Sequence, residues 1–286
     1  MSELSTIDAP SPLDLPSTIP ELSFCGIRIH GLTKQSTLDL MRKWITESVS
    51  RQICFLNAHT FVEARKNPAF RQLTGSADLV LADGTSLVWS SRFLGCRLPE
   101  RIAGPDLMES FCEEANVKAY RFFFFGCTPD VLEDLTRTVQ HRWPHILIAG
   151  SFAPPIAETF SAPENERMIE NINSAKPDVL WVGMSSPKQD FWIAQNLRRL
   201  KVPISIGVGA AFNFISGNVR RAPLWAQQRG LEWLWRLIQE PRRLWRRYLT
   251  CNAAFARLIM QEIYARHTLK LIASRTVSSS NLREKD

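Results

Sequence analysis

An α/β fold, with a mostly parallel sheet and helices on both faces, is predicted by three features of the chain. Short β-rich runs alternate with helix-length segments from about residue 24 onward. Several of the runs are almost continuously apolar, as parallel strands covered on both sides must be. The segments between them repeat apolar residues at the spacing of one buried helical face. Strand–helix alternation of this kind gives a doubly wound, Rossmann-like sheet.

The elements follow in order. MSELSTIDAPSPLDLPSTIPELS has prolines, serines and acids but neither a basic start nor an apolar stretch, so residues 1–22 are expected to be a disordered leader and not a secretory signal. FCGIRI (24–29) is the first predicted strand, and STLDLMRKWITESV the helix after it. ICFLN (53–57) and DLVLA (78–82) are the next strands; DLMESFCEEANV is a helix leading to YRFFFFG (120–126). DVLEDLTRTVQHRW, again helical, precedes HILIAG (145–150), and KQDFWIAQNLRRL links DVLWVGM (178–184) to PISIGVG (203–209). Residues 23–217 therefore form the α/β domain. Beyond it the spacing predicts two successive helices broken at Pro241, because the residue before a proline avoids the helical region. Residues 218–270 read as a basic helical appendage, without which the body should keep its fold, and 271–286 as a disordered tail.

With 45% hydrophobic and 22% charged residues the composition is globular, which excludes a wholly disordered chain. Its charge is localised. Arg220 to Leu249 holds eight arginines against Glu232 and Glu240, nearly all of the net +7. A duplex-coating protein spreads its cations over a wider face, so nucleic acid is not an expected partner. The six cysteines include no CxxC pair and no metal-ligand spacing, which favours reduced core thiols. No run reaches the roughly 18 apolar residues of a membrane span, so any membrane contact is expected to be peripheral.

In open α/β sheets ligands sit beyond the carboxyl ends of the strands. Asn57, His59 and Thr60 follow ICFL, Asp83 follows DLVLA, and Gly126 ends YRFFFFG. Gly183 closes DVLWVG, with Ser185, Ser186, Lys188 and Gln189 after it, and Gly209 to Asn213 follow PISIGV. Amides, glycines and a carboxylate on one edge favour a phosphorylated or nucleotide ligand, since glycine turns and helix N-termini bring bare N–H groups to phosphates. Alone, Asp83 in ADGTS reads as a turn residue or helix cap. As the only acid directly at the end of a central strand, it also suits a general base. His59 reads as a helix-start residue. GVGAAF lacks the third glycine of a dinucleotide fingerprint, and no Walker lysine, HExxH or GxSxG motif occurs, so no cofactor is expected. No DxD pair is placed to hold a metal on a diphosphate. A metal-free site, with arginines in the cation's place, follows. In the appendage Leu244, Trp245, Tyr248 and Leu249, continued by Phe255 and Ile259, form a stripe interleaved with Arg242, Arg243, Arg246 and Arg247. Such a helix fits an anionic membrane surface, and equally a body against which its stripe packs.

Several stretches then resemble one family. NAHTFVEARKNPAFRQLTGSADLVLADGTSLVW, PERIAGPDL, PDVLWVGMSSPKQDFWI and GVGAAFNFISGNVRRAPLWAQQRGLEWLWRLIQEPRRLWRRYL, in this order over roughly residues 25–250, are similar to the WecG/TagA/CpsF glycosyltransferases. The resemblance implies an inverting transfer of a sugar from a UDP-sugar to a polyprenyl-diphosphate-linked saccharide, on the cytoplasmic face of a bacterial membrane, for cell-surface or exopolysaccharide synthesis. It implies Asp83 as base, Asn57 and Gln189 as donor ligands, Arg101 as the Arg of the ERxxG motif, and Arg236, Arg243 and Arg246 as partners of the diphosphates. Thr60, Gly126, Gly183 and Gly209 complete the expected substrate site. Phe55, Ala82 and Asn213 depart from residues common in the family and adjoin the sugar pocket; N-acetylmannosamine, its uronic acid and glucose are the donor sugars to consider. A soluble nucleotide-sugar epimerase would need the missing cofactor fingerprint. A non-catalytic binding or scaffold protein of the same fold is the main alternative, and a homo-oligomer is compatible with either.

Overall fold

The computed structural model describes residues 19–95 and 97–283, with side chains described as far as Thr268 except those of Arg243 and Arg247. A hairpin of β1 (Glu21–Phe24) and β2 (Ile27–His30) leads into helix α1 (Lys34–Glu47). Strand β3 (Arg51–Leu56) is followed by α2 (Ala58–Lys66) and α3 (Pro68–Ser76), and β4 (Leu79–Ala82) by α4 (Thr85–Phe93) and α5 (Gly104–Lys118). Then come β5 (Arg121–Gly126), α6 (Pro129–Arg142), β6 (Leu147–Phe152), α7 (Ala162–Ala175), β7 (Val179–Gly183), α8 (Lys188–Asn196) and β8 (Ile204–Gly207). Helices α9 (Ala211–Ile215), α10 (Leu224–Gln228), α11 (Glu232–Gln239) and α12 (Pro241–Arg283) complete the described chain.

Strands β3 to β8 form one all-parallel sheet in the order β4-β3-β8-β7-β5-β6. Successive side chains of a strand point to opposite faces. In β5, Phe122 and Phe124 join Trp181 and Phe111 on one face, whereas Phe123 and Phe125 join Leu180 and Trp192 on the other. Both faces are buried, which is why these runs lack alternation. The cysteines Cys25, Cys54, Cys112, Cys127 and Cys251 are free.

Three differences from the sequence reading have local causes. FCGIRI is not one strand. Cys25 and Gly26, with φ of 47° and 74°, form a two-residue turn that pairs Phe24 with Ile27 and Glu21 with His30, so β1 begins inside the expected leader. The appendage has three helices, since α10 forms just after Pro223. Its expected break is present: Glu240 is non-helical (φ −131°, ψ 57°) and Pro241 opens α12, where its missing N–H costs nothing. From there no glycine or proline interrupts the chain, and α12 continues to Arg283 through the segment expected to be disordered.

The stripe on α12 divides. Leu244, Phe255 and Ile259 are buried, with Phe255 edge-on to Phe61 of α2 at 5.5 Å, whereas Trp245 and Leu249 are 48% and 66% exposed. Phe255 and Ile259 share a core cluster with the hairpin and α2. Among the described residues no helix is long and apolar enough to cross a membrane.

Candidate active site

The carboxyl ends of β3, β4 and β8 open into a cleft of about 480 Å³, roofed by α11 and the first turns of α12. Asp83, Asn57, Thr60, Arg101, Gln189, Gly209 and Arg236 all border it.

Asp83 stands one residue beyond β4. Its N–H donates to the Leu56 carbonyl at 2.8 Å, continuing the ladder to β3 and fixing where the side chain starts. A Cβ on the next residue, Gly84, would lie 3.2 Å from the Asn57 Cα, so the two strand ends touch closely. The Asp83 carboxylate makes no hydrogen bond among the described residues. Burial pushes its pKa up to about 6, against the pull of Arg101 and with the help of Glu232 and Asp106.

Asn57 caps α2. Its Oδ1 accepts from the N–H groups of His59 (3.0 Å) and Thr60 (3.2 Å), and Thr60 Oγ1 accepts from the Asn57 N–H at 2.8 Å. This reciprocal cap engages Asn57 Oδ1 and the Thr60 hydroxyl but leaves Asn57 Nδ2 as a donor on the cleft. His59 does start the helix, and its Nδ1 lies 3.3 Å from Cys251 Sγ on α12. Gln189 is buried, and its Oε1 accepts from the Gly209 N–H at 3.1 Å across the end of β8. Gly209 needs its freedom, with φ of 54°.

The cations are distributed between body and appendage. Arg101 donates to Glu232 at 2.8 Å and to Asp106 at 2.9 Å. Arg236 on α11 lies 5.6 Å from the centre of the Phe214 ring, and its buried Nε has no hydrogen-bond partner. Trp233 of α11 and Tyr248 of α12 meet edge-on at 5.8 Å on the cleft wall. Among the described residues no three His, Cys, Asp or Glu side chains are gathered as a metal would need.

Over residues 22–268 the chain matches the model of the glycosyl transferase WecG/TagA/CpsF family. It belongs to that family. The N-acetylglucosaminyldiphosphoundecaprenol N-acetyl-beta-D-mannosaminyltransferase of Bacillus spizizenii is 34% identical over 66% of this chain and 70% of its own length. The enzyme of the same name from Bacillus subtilis is 31% identical over 75% of this chain and 82% of its own. That from Staphylococcus aureus strain MW2 is 25% identical over 80% and 89%. As a WecG/TagA/CpsF member the chain is a glycosyltransferase.

Not every expected residue of this glycosyltransferase comes to the cleft. Gly126 and Gly183 do not border it. A Cβ on Gly126 would lie 2.7 Å from the Gly183 backbone, and one on Gly183 2.6 Å from the Phe212 ring, so both glycines serve close packing at the strand ends. Arg246 is exposed, its guanidinium 5.2 Å from the centre of the Trp245 ring, outside the cleft lining. The Arg243 side chain lies outside the described residues. Sequence reasoning missed Glu232, Asp106 and Arg221, whose ion pairs join distant segments, and also Asp190. That buried acid accepts from the Ser186 hydroxyl at 2.5 Å, and burial pushes its pKa up to about 7. Its one signal was an acid directly after Gln189 in an otherwise apolar helix face.

Proposed function

We propose that this enzyme transfers a sugar, N-acetylmannosamine first among the candidates, from a UDP-sugar to a polyprenyl-diphosphate-linked saccharide, with inversion and without a metal. The observation that carries the reading is Asp83: a carboxylate on the cleft, held in place by its backbone, raised toward neutral pH and without a hydrogen bond among the described residues. A base is most effective when its pKa lies near the working pH. The acceptor hydroxyl gives its proton to Asp83 as its oxygen bonds to the anomeric carbon. The bond from that carbon to the diphosphate oxygen breaks on the opposite face, and the electron pair leaves with UDP. One displacement inverts the centre and needs no second carboxylate.

The donor would be held by Asn57 Nδ2, the Gly209 turn and Gln189, with Thr60 acting through the Asn57 cap. Metal independence rests on the charges of the cleft. Arg236 borders the cleft as a cation suited to a phosphate oxygen, while the other acid lining it among the described residues, Glu232, is already paired with arginines. The relatives' names support the sugar and the undecaprenyl-linked acceptor. Arg243 and Arg246, with exposed Trp245 and Leu249, would meet the anionic inner face of the plasma membrane, where aromatic rings and arginines are favoured.

A panel of UDP-sugars, offered with a short-chain polyprenyl-diphosphate N-acetylglucosamine, tests this by UDP release. UDP-N-acetylmannosamine is expected to give acceptor-dependent turnover, unchanged by EDTA, and a product of opposite anomeric configuration. Turnover abolished by EDTA and restored by Mg²⁺ would contradict the metal-free site; no acceptor-dependent release with any donor would contradict the function.

A further inference from the structure

Four charged side chains close a ring at the edge of the cleft. Arg101 donates through Nη1 to Glu232 Oε2 (2.8 Å) and through Nη2 to Asp106 Oδ2 (2.9 Å). Arg221 donates through Nε to Glu232 Oε1 (3.0 Å) and through Nη1 to Asp106 Oδ1 (2.5 Å). Each carboxylate uses both oxygens, and the ring is formally neutral. Its side chains are only 17–31% exposed, so these pairs are shielded far better than ordinary surface bridges. Arg101 and Asp106 belong to the body, Arg221 and Glu232 to the appendage. Of the four, Arg101 and Glu232 also border the cleft.

We propose that Glu232 is a positioning residue that couples docking of α11 to turnover by keeping Arg101 occupied beside Asp83. The proposal rests on the reading of Asp83 as the base. An arginine next to an unengaged carboxylate normally bonds to it and lowers its proton affinity. Here Glu232 and Asp106 together hold the Arg101 guanidinium toward themselves through one N–H of each terminal nitrogen. No hydrogen bond to Asp83 forms among the described residues, and Asp83 stays open to an acceptor hydroxyl. With α11 undocked, Glu232 and Arg221 would leave together. Arg101 would keep Asp106 alone and be released to turn an N–H toward Asp83. The base is thereby effective only with the appendage in place. The charges facing Asp83 are the four ring members, of which Arg101 and Arg221 lower its proton affinity and Glu232 and Asp106 raise it. Arg236, His59, Tyr248 and Cys251 are the other titratable or charged side chains that line the cleft among the described residues.

The experiment is the pH profile of kcat/KM for the full-length enzyme. Glu232→Gln keeps the volume but leaves the ring with a net positive charge, so the acid limb is expected to move to lower pH by about one unit, with a lower plateau. Glu232→Gln combined with Arg221→Gln restores neutrality but releases Arg101 just as undocking would, so its limb is expected to move with that of the single variant. An effect of net charge alone would return it to the wild-type position. If Glu232→Gln does not fold, as judged by circular dichroism, Asp106→Asn with and without Arg221→Gln makes the same charge changes. A single variant with the wild-type limb, or a double variant back at the wild-type position, would overturn the proposal. Asp83→Asn is run in parallel: near-normal turnover in that variant would overturn the base itself, whereas its inactivity with an unmoved Glu232→Gln limb would overturn only the coupling.

Discussion

At the scale of single residues, the chemistry centres on Asp83. Its folded pKa, about 6, lies above the ordinary carboxylate value of 3.8, chiefly through burial. The folded protein therefore binds this proton more tightly than the unfolded chain, and ionising Asp83 between about pH 4 and 7 weakens the fold. Asp83→Asn is expected to melt higher than wild type at pH 7.5, by on the order of 1–3 kcal/mol, with the gap closing toward pH 4. Thermal melts at the two pH values check this, and a variant that melts lower at pH 7.5 would show that burial does not burden the carboxylate. The places of Asp83 and Asn57 on the cleft were legible because a position just past a parallel strand follows from the strand alone. Gly126 and Gly183 were expected there for the same reason, but they do not border the cleft. A glycine there admits either a phosphate or a neighbouring atom, and only the fold reveals that the neighbour is Phe212 or another strand end.

Among the elements, the parallel strands and their helices were readable because both faces are apolar, and Pro241 marked the break it was expected to mark. The hairpin was not, because ELSF is short and half polar and its turn is written only as Cys-Gly. The glycine contacts give a paired prediction. Gly183→Ala forces a methyl into the Phe212 ring and is expected to cost about 1–3 kcal/mol. Gly75→Ala, in α3 with nothing within 4 Å of the new methyl, is expected to add up to about 1 kcal/mol. Urea unfolding of both variants tests this, and equal effects would mean that Phe212 yields. For α12 the sequence left two readings open, and the helix divides them by face. Leu244, Phe255 and Ile259 are inward, whereas Trp245 and Leu249 remain outside.

On the scale of the whole molecule, the appendage is part of the body's core as well as the roof of the cleft. Removing residues 218–286 would strip Phe255 and Ile259 from Phe61 and the hairpin cluster, so the shortened protein is expected to lose stability rather than merely detach. The membrane reading is better tested on the exposed side chains Ile238, Trp245 and Leu249. Replacing all three with serine is expected to reduce co-sedimentation with anionic vesicles severalfold while leaving Tm nearly unchanged; undiminished binding would place the membrane contact elsewhere. The ionic ring was invisible in the sequence because its members lie up to 131 positions apart and look like ordinary charges in a basic, polar context. The most direct test of the account is UDP release by Asp83→Asn, measured at saturating donor and acceptor on protein shown to be folded. Turnover should fall at least a thousandfold, on the order of what a lost general base costs, with donor binding retained. Turnover within a few fold of wild type would mean that another group takes the proton.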